Sequence, residues 1–531
     1  MTQLLDIFGF LSVLLRGFSL AFEALTIGGV IFISLNAYPL AETGVVRAVV
    51  RWVRCSALLL LATQTSLAAA NSAILLGSTD LKLVDVIGAG FWRAELSIVA
   101  GSLAILAFAR TRWWRASSLI ACVLILLGSV LTSHSSARME HRWFLMAATL
   151  IHHLAGGAWI GGLPYVLIAL RQSDVAANRI VARFSAVAML SVTLLVAAGA
   201  ALAFLFVRFP PATFETTYGL MLLAKVILTA ILLLLGALNW KIVRAIRSKG
   251  DPDMLPLRHF AEAEIGIGFT VLLAAASLTS TPPAVDVAAG RVTPHEIAER
   301  MKPRFPRLNT PSFAELSPAT SLSLNERSAL PGSFVPGQQQ QINLPPDIAW
   351  SEYNHHWAGL VLLTIGLLAI LARTFAWRWA RHWPLAFLGL AVFLLIRADS
   401  ENWPLGPRGF WESFQVAEVA QHRLFVLLVV AFAVFEWAVQ TNRVARGRAA
   451  FVFPLVCAVG GALLMTHSHS LGNVKEEFLA ELSHLPLALC AVFAGWSRWL
   501  ELRGSQTRIA SAIWPVCFLF IGIILVLYRE T

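Results

Sequence analysis

Fourteen apolar stretches recur along this chain of 531 residues, most of them about the 20 residues a helix needs to cross hydrocarbon. Eight precede residue 281, at 4–37, 45–77, 91–110, 117–135, 143–170, 181–207, 217–240 and 259–280. Six follow, at 355–373, 383–397, 411–440, 449–466, 476–498 and 509–528. In lipid each backbone N–H and C=O must be paired within its own segment, so each stretch is expected to be a helix. Only 13% of the residues are charged, against about 25% in soluble domains. The expectation is an all-α polytopic membrane protein of about 14 transmembrane helices, arranged 8 + 6. Its predicted parts are 1–280, 281–354 and 355–531.

The basic residues fix an orientation. The odd-numbered interhelical loops carry 23 Lys and Arg, among them Arg47, Arg51, Arg110, Lys241, Arg373, Arg443 and Arg503. The short even-numbered loops carry eight. By the positive-inside rule the odd loops are cytoplasmic and both termini face the periplasm. The net charge of +11 therefore reads as membrane orientation, and no nucleic-acid partner is expected. Segment 281–354 is rich in Pro, Ser, Gln and Asn, its charges nearly balance, and it reads as an extracytoplasmic linker. Within it T-P-H-E at 293–296 predicts a helix start capped by Thr293 and Glu296. The first span lacks a basic leader and a clear cleavage site, so it is expected to be retained.

Nucleotide-binding, hydrolase and HExxH signatures are absent, and no enzymatic activity is expected. The five cysteines (Cys55, Cys122, Cys457, Cys490 and Cys517) lie scattered in apolar spans without a C-x-x-C pair and read as buried thiols. The histidines carry the chemistry. Of thirteen, only His259 and His382 fall on the predicted cytoplasmic side. His134, His141, His152, His153, His295, His355, His356, His422, His467, His469 and His484 fall in outer loops or outer halves of spans. Imidazoles gathered on one side of a membrane protein point to a metal site or relay facing out.

Met465–Leu487 places the pair His467 and His469 between two spans and His484 inside the second. Glu477, Glu481 and His484 share one helix face, so the carboxylates read as support for the imidazole or as cation attraction. Glu418 stands one turn before His422 in the same role. Met465 offers a thioether to a soft metal, although packing is its commoner use. His355 and His356 sit at the outer end of the ninth span. His141 and His152 share a helix face about 16 Å apart, too far for one ion but suited to a mouth ligand and a deeper one. His134 and His153 complete that cluster. Trp159 lies on the face of His152, and Glu23 is a carboxylate at mid-span; both are candidate pathway residues. Gly156, Gly157, Gly161 and Gly162 read as close helix packing before substrate contact.

The segment I-H-H-L-A-G-G-A-W-I-G-G-L-P, with R-F-S-A-V-A-M-L at 183–190, resembles the copper resistance protein D family. S-E-Y-N-H-H-W-A-G-L, F-Q-V-A-E-V-A-Q-H-R-L and M-T-H-S-H-S resemble extended members with a second membrane part. The resemblance implies copper handling at the bacterial inner membrane, with uptake from the periplasm, where a copper carrier protein would deliver the ion. It makes His152 the family histidine before W-I-G-G. The chain lacks a Met ladder, which favours histidine ligation of Cu(I) or Cu(II). Two other readings stay open: a haem b or quinol redox protein, since transmembrane histidines are common haem ligands, and an assembly factor that delivers copper without net transport.

Overall fold

In a computed structural model the described residues are 2–40, 43–79, 81–108, 113–172, 177–249, 255–287, 291–311, 345–375, 377–397, 402–415, 417–466, 474–504 and 508–529. They are helical with no strand, apart from one isolated bridge between Asn402 and Arg408. Among the described residues twelve helices are long and apolar enough to cross a membrane. Helices also stand at the two other expected positions. These are Thr43–Ser78 and the shorter Ser511–Val526. The protein is a multi-pass, all-α membrane protein.

Two compact units are present: Met1–Arg291 with Met465–Val474, and Val292–Leu464 with Lys475–Thr531. The first contains α1 (Thr2–Phe32), α2 (Thr43–Ser78), α3 (Leu83–Gly88), α4 (Gly90–Phe108), α5 (Trp114–Leu131), α6 (His134–Ala137), α7 (Arg142–Trp159), α8 (Leu163–Gln172), α9 (Ala177–Val207), α10 (Thr217–Lys249) and α11 (Leu255–Ser280). Helix α1 is the hub and packs on α2, α5, α7 and α11. The expected single span 143–170 is divided between α7 and α8 by a turn at 160–162. Backbone contact explains the division. A Cβ at Gly161 would lie 1.8 Å from the Ala24 carbonyl oxygen, and one at Gly28 would lie 2.3 Å from the Gly161 carbonyl carbon. Two glycines thus let α1 touch the α7–α8 backbone directly, and the packing reading of this glycine run stands.

The second unit contains α12 (Pro294–Met301), α13 (Pro345–Thr374), α14 (Ala386–Arg397), α15 (Ala417–Gln440), α16 (Val452–Leu464), α17 (Val474–Leu502) and α18 (Arg508–Val526). Its ninth-span helix begins at Pro345, ten residues before the apolar stretch, because the preceding P-P-D supplies a helix start. Trp383, Phe387, Phe453, Trp514 and Phe518 form its aromatic core. Where α13 meets α18, a Cβ at Gly522 would lie 2.6 Å from the Leu363 nitrogen.

The predicted start of α12 holds. Thr293 Oγ1 accepts the Glu296 N–H at 3.3 Å, and Glu296 Oε2 accepts the Thr293 N–H at 2.7 Å. Lys475 Nζ donates to Glu296 Oε1 at 2.9 Å. The Thr293 backbone bond, with Lys475, pulls the Glu296 carboxyl down to about 2. A depressed carboxyl contributes above its ordinary range and loses that contribution as pH falls through the folded value. The Glu296–Lys475 bridge is therefore expected to persist at pH 4. A carbonyl chemical-shift titration of Glu296 should find its midpoint near 2, and a midpoint near the ordinary 4.5 would contradict this.

Candidate metal centres

In the first unit a buried polar cluster forms because α1 approaches α7 so closely. Glu23 of α1 is 4% exposed. Its Oε1 lies 3.2 Å from His153 Nδ1, which is 3.0 Å from Ser129 Oγ of α5. With Glu23 ionised, Nδ1–H donates and the Nε2 lone pair remains for a metal. Carboxylate, imidazole and metal in series is the arrangement that fixes a ligand's tautomer and raises its basicity. On α1, two turns away, Arg16 Nη2 donates to Thr132 O at 2.9 Å and lies within electrostatic reach of Glu23 and Glu95. Ser19 Oγ donates to Gln64 Oε1 at 2.6 Å, and Gln64 Nε2 donates to Glu95 Oε2 at 2.6 Å. Two carboxylates and one guanidinium thus meet in this low-dielectric interior, a set that can hold a cation.

His152 faces another way. Its Nδ1 lies 3.2 Å from Leu195 O, its ring packs on Gly199 of α9, and Lys225 of α10 is within electrostatic reach. A cationic neighbour opposes a metal ion where a carboxylate attracts one. Geometry therefore places the carboxylate partner on His153, the histidine that the resemblance left aside. Trp159, at the far end of α7, is buried. His141 is exposed and caps α7 with φ 52 and no side-chain capping bond.

His134 lines a cavity of about 290 Å³ with Ala137, Arg138, Met139, Glu140, Pro283 and Asp286. Arg138 bridges to Asp286 at 3.3 Å. His134 Nε2 is buried and has no hydrogen-bond partner among the described residues. Burial first, and Arg16 second, hold its imidazole below the ordinary histidine value, so it is neutral at pH 7.

In the second unit His355, His484 and Tyr528 form a ring cluster. His355 stacks on Tyr528 with centroids 3.9 Å apart, and His484 meets both edge-on at 6.1 and 6.0 Å. His355 Nδ1 donates to Ser351 O and His484 Nδ1 donates to Ala480 O, each at 2.8 Å. Both rings are thereby fixed in the tautomer that carries its proton on Nδ1. Arg300 covers Tyr528 with its guanidinium 5.1 Å from the ring centroid. Glu477 and Glu481 are buried on α17, and Glu481 Oε2 has no partner among the described residues.

His356 differs from its neighbour. The Arg307 N–H donates to its Nδ1 at 2.7 Å, and its Nε2–H donates to Tyr528 O at 2.9 Å. Both ring nitrogens are committed to backbone in this structure. His422 is half-buried in α15, and Met465 is buried. His467, His469 and the side chain of Glu418 lie outside the described residues. Among the described residues no three His, Cys, Asp or Glu side chains converge into a ready metal cage.

Sequence reasoning overlooked Glu95, Gln64 and Arg423. Arg423 is buried in α15 and donates to Leu395 O and Trp403 O, each at 2.7 Å. An ionisable residue inside an apolar span was the available signal for Glu95 and Arg423.

Residues 178–278, which cover nearly all of α9 to α11, match the family model of copper resistance protein D. The chain is 29% identical over 212 residues to copper transport protein CutJ of Bacillus subtilis (strain 168). That alignment covers 38% of this chain and 38% of the relative, well under two thirds of its length. No solved structure matches. The two matches agree with the family resemblance read from the sequence.

Proposed function

We propose that this protein binds copper and passes it from the periplasm across the bacterial inner membrane toward the cytoplasm. The observation that carries the reading is the Glu23–His153–Ser129 cluster, with Glu23 and Ser129 buried and His153 half-buried, inside an apolar helix bundle. Burying such groups is expensive and is retained where an ion must be solvated inside the membrane. The copper resistance protein D match supports copper as the metal, as does the likeness to a copper transport protein. The arginine-poor ends carry the histidines, so His134, His141 and the His355–His484 pair are the capture groups, loaded by a periplasmic copper carrier. His153 with Glu23 is the site within the membrane. Neutral imidazole is the ligand, so copper binding competes with protons and weakens below about pH 6.

Uptake into liposomes reconstituted with the full chain tests this reading. Copper should accumulate in the lumen well above protein-free liposomes, and H153A should abolish most of that accumulation. Stoichiometric binding without luminal copper would sink transport and leave delivery without transport.

A second expected outcome concerns the ring cluster. Replacing His355 and His484 together by alanine should slow copper loading from dilute solution while H356A leaves loading intact in the folded fraction. Equal loading by the double variant and the wild type, followed by elemental analysis, would remove the cluster from the capture set.

A further inference from the structure

The first unit holds a second buried carboxylate on α11 that the copper path described so far does not use. Glu264 is 2% exposed, and Asn239 Nδ2 of α10 donates to its Oε1 at 2.5 Å. Among the described residues that carboxylate has no other hydrogen bond and no ion pair. Asn239 is 9% exposed, and its Oδ1 is buried without a hydrogen-bond partner among the described residues. The cations of the same two helices are placed elsewhere. Arg258 donates to Leu170 O of α8 at 2.7 Å. Lys225 stands about 21 Å along α10 from Asn239. Depth follows from the contact between α1 and α11, where Gly17 packs against Leu273 and Ala276. On the orientation read from the basic loops, α1 enters the membrane from outside and α11 from inside. Glu23 therefore lies about 9 Å inward of that contact and Glu264 about 14 Å inward, a step nearer the cytoplasm.

We propose that Glu264 and Asn239 form an inner cation site, the exit station for copper handed on by His153 and Glu23. The proposal rests on the copper reading above and adds ligands and depth to it. An ionised carboxylate in an apolar bundle needs a counter-charge. The described residues supply none, and a passing Cu(I) supplies one while leaving the pair neutral. Two oxygen donors, the Glu264 carboxylate and Asn239 Oδ1, then replace part of the ion's hydration. Oxygen suits harder ions than copper, so Cu(I) is held more weakly here than by imidazole. Conduction requires that order, because the last site must release what the earlier one captured. The step is a ligand exchange in which a Cu–N bond breaks as Cu–O bonds form, and copper keeps its oxidation state.

Liposomes reconstituted with the full chain and supplied with Cu(I) without oxygen test the site. Glu264→Gln keeps an oxygen for the Asn239 bond and removes the charge. It should leave tight copper binding by the solubilised chain intact and lose most of the luminal accumulation. Glu264→Cys puts a soft ligand at the exit. It should retain more Cu(I) per chain than the wild type or E264S and release it more slowly. Leu238→Cys, beside Asn239 in sequence and 36% exposed, should retain no more than the wild type. Luminal copper in E264Q equal to that in the wild type would overturn the exit site, as would equal copper retention by E264C and L238C. A wild type that fills no lumen would instead overturn the transport reading on which the site rests. The two Glu264 variants report through separate measurements, so either decides the matter where the other fails to fold.

Discussion

Gly161→Ala should destabilise the first unit by on the order of 3 kcal/mol, whereas Gly156→Ala should change it little, although the two glycines lie in one short run. A Cβ at Gly161 would sit 1.8 Å from Ala24 O, and that obstacle is backbone, which no rotamer change can clear. Helix α1 would have to move away from the α7–α8 turn. At Gly156 the new Cβ would meet Leu195 Cδ1 at 3.6 Å, an ordinary contact. Alanine there even gains helix propensity of up to about 1 kcal/mol. Thermal unfolding of the detergent-solubilised variants measures the difference. Because α1 carries Glu23 and α7 carries His153, G161A should also lose copper binding out of proportion to the fraction unfolded. Equal stability of the two variants would mean that the backbone contact does not hold α1 in place.

The second large effect separates two adjacent histidines. Glu23→Gln should lower copper affinity in the first unit about 10–100-fold, the usual cost of removing the carboxylate behind a ligating imidazole. H153A should cost more, since it deletes the ligand itself. H152A should cost least, because His152 bonds to the Leu195 carbonyl and lies near Lys225. Gln at position 23 is nearly isosteric and can still accept from Nδ1–H, so the loss would come from charge more than from packing. Titration with copper against a competing chelator measures the three affinities. The reverse order, with H152A severe and H153A silent, would move the site to the α9–α10 side of α7.

The helices were legible because hydrocarbon length and backbone pairing leave few alternatives. Even the short helix at Pro294 was readable, since T-P-H-E spells both halves of a capping box. The break after Trp159 was not, because hydropathy runs smoothly across it and its cause is a contact with Ala24, far away in sequence. The site was partly legible. A carboxylate at 23 and a histidine pair at 152–153 stand out in apolar spans, but which imidazole faces Glu23 depends on helix rotation. His355 and His356 show the same limit. Adjacent residues point about 100° apart on a helix, so one meets Tyr528 and His484 while the other binds backbone.

The most direct measurement is the metal content and visible spectrum of the purified full chain. The purified chain should carry at least one copper, show no Soret band, and lose copper on acidification below about pH 6 as the imidazoles protonate. A colourless protein without copper above the level of a control membrane protein, or a protein with a Soret band and bound haem, would contradict it.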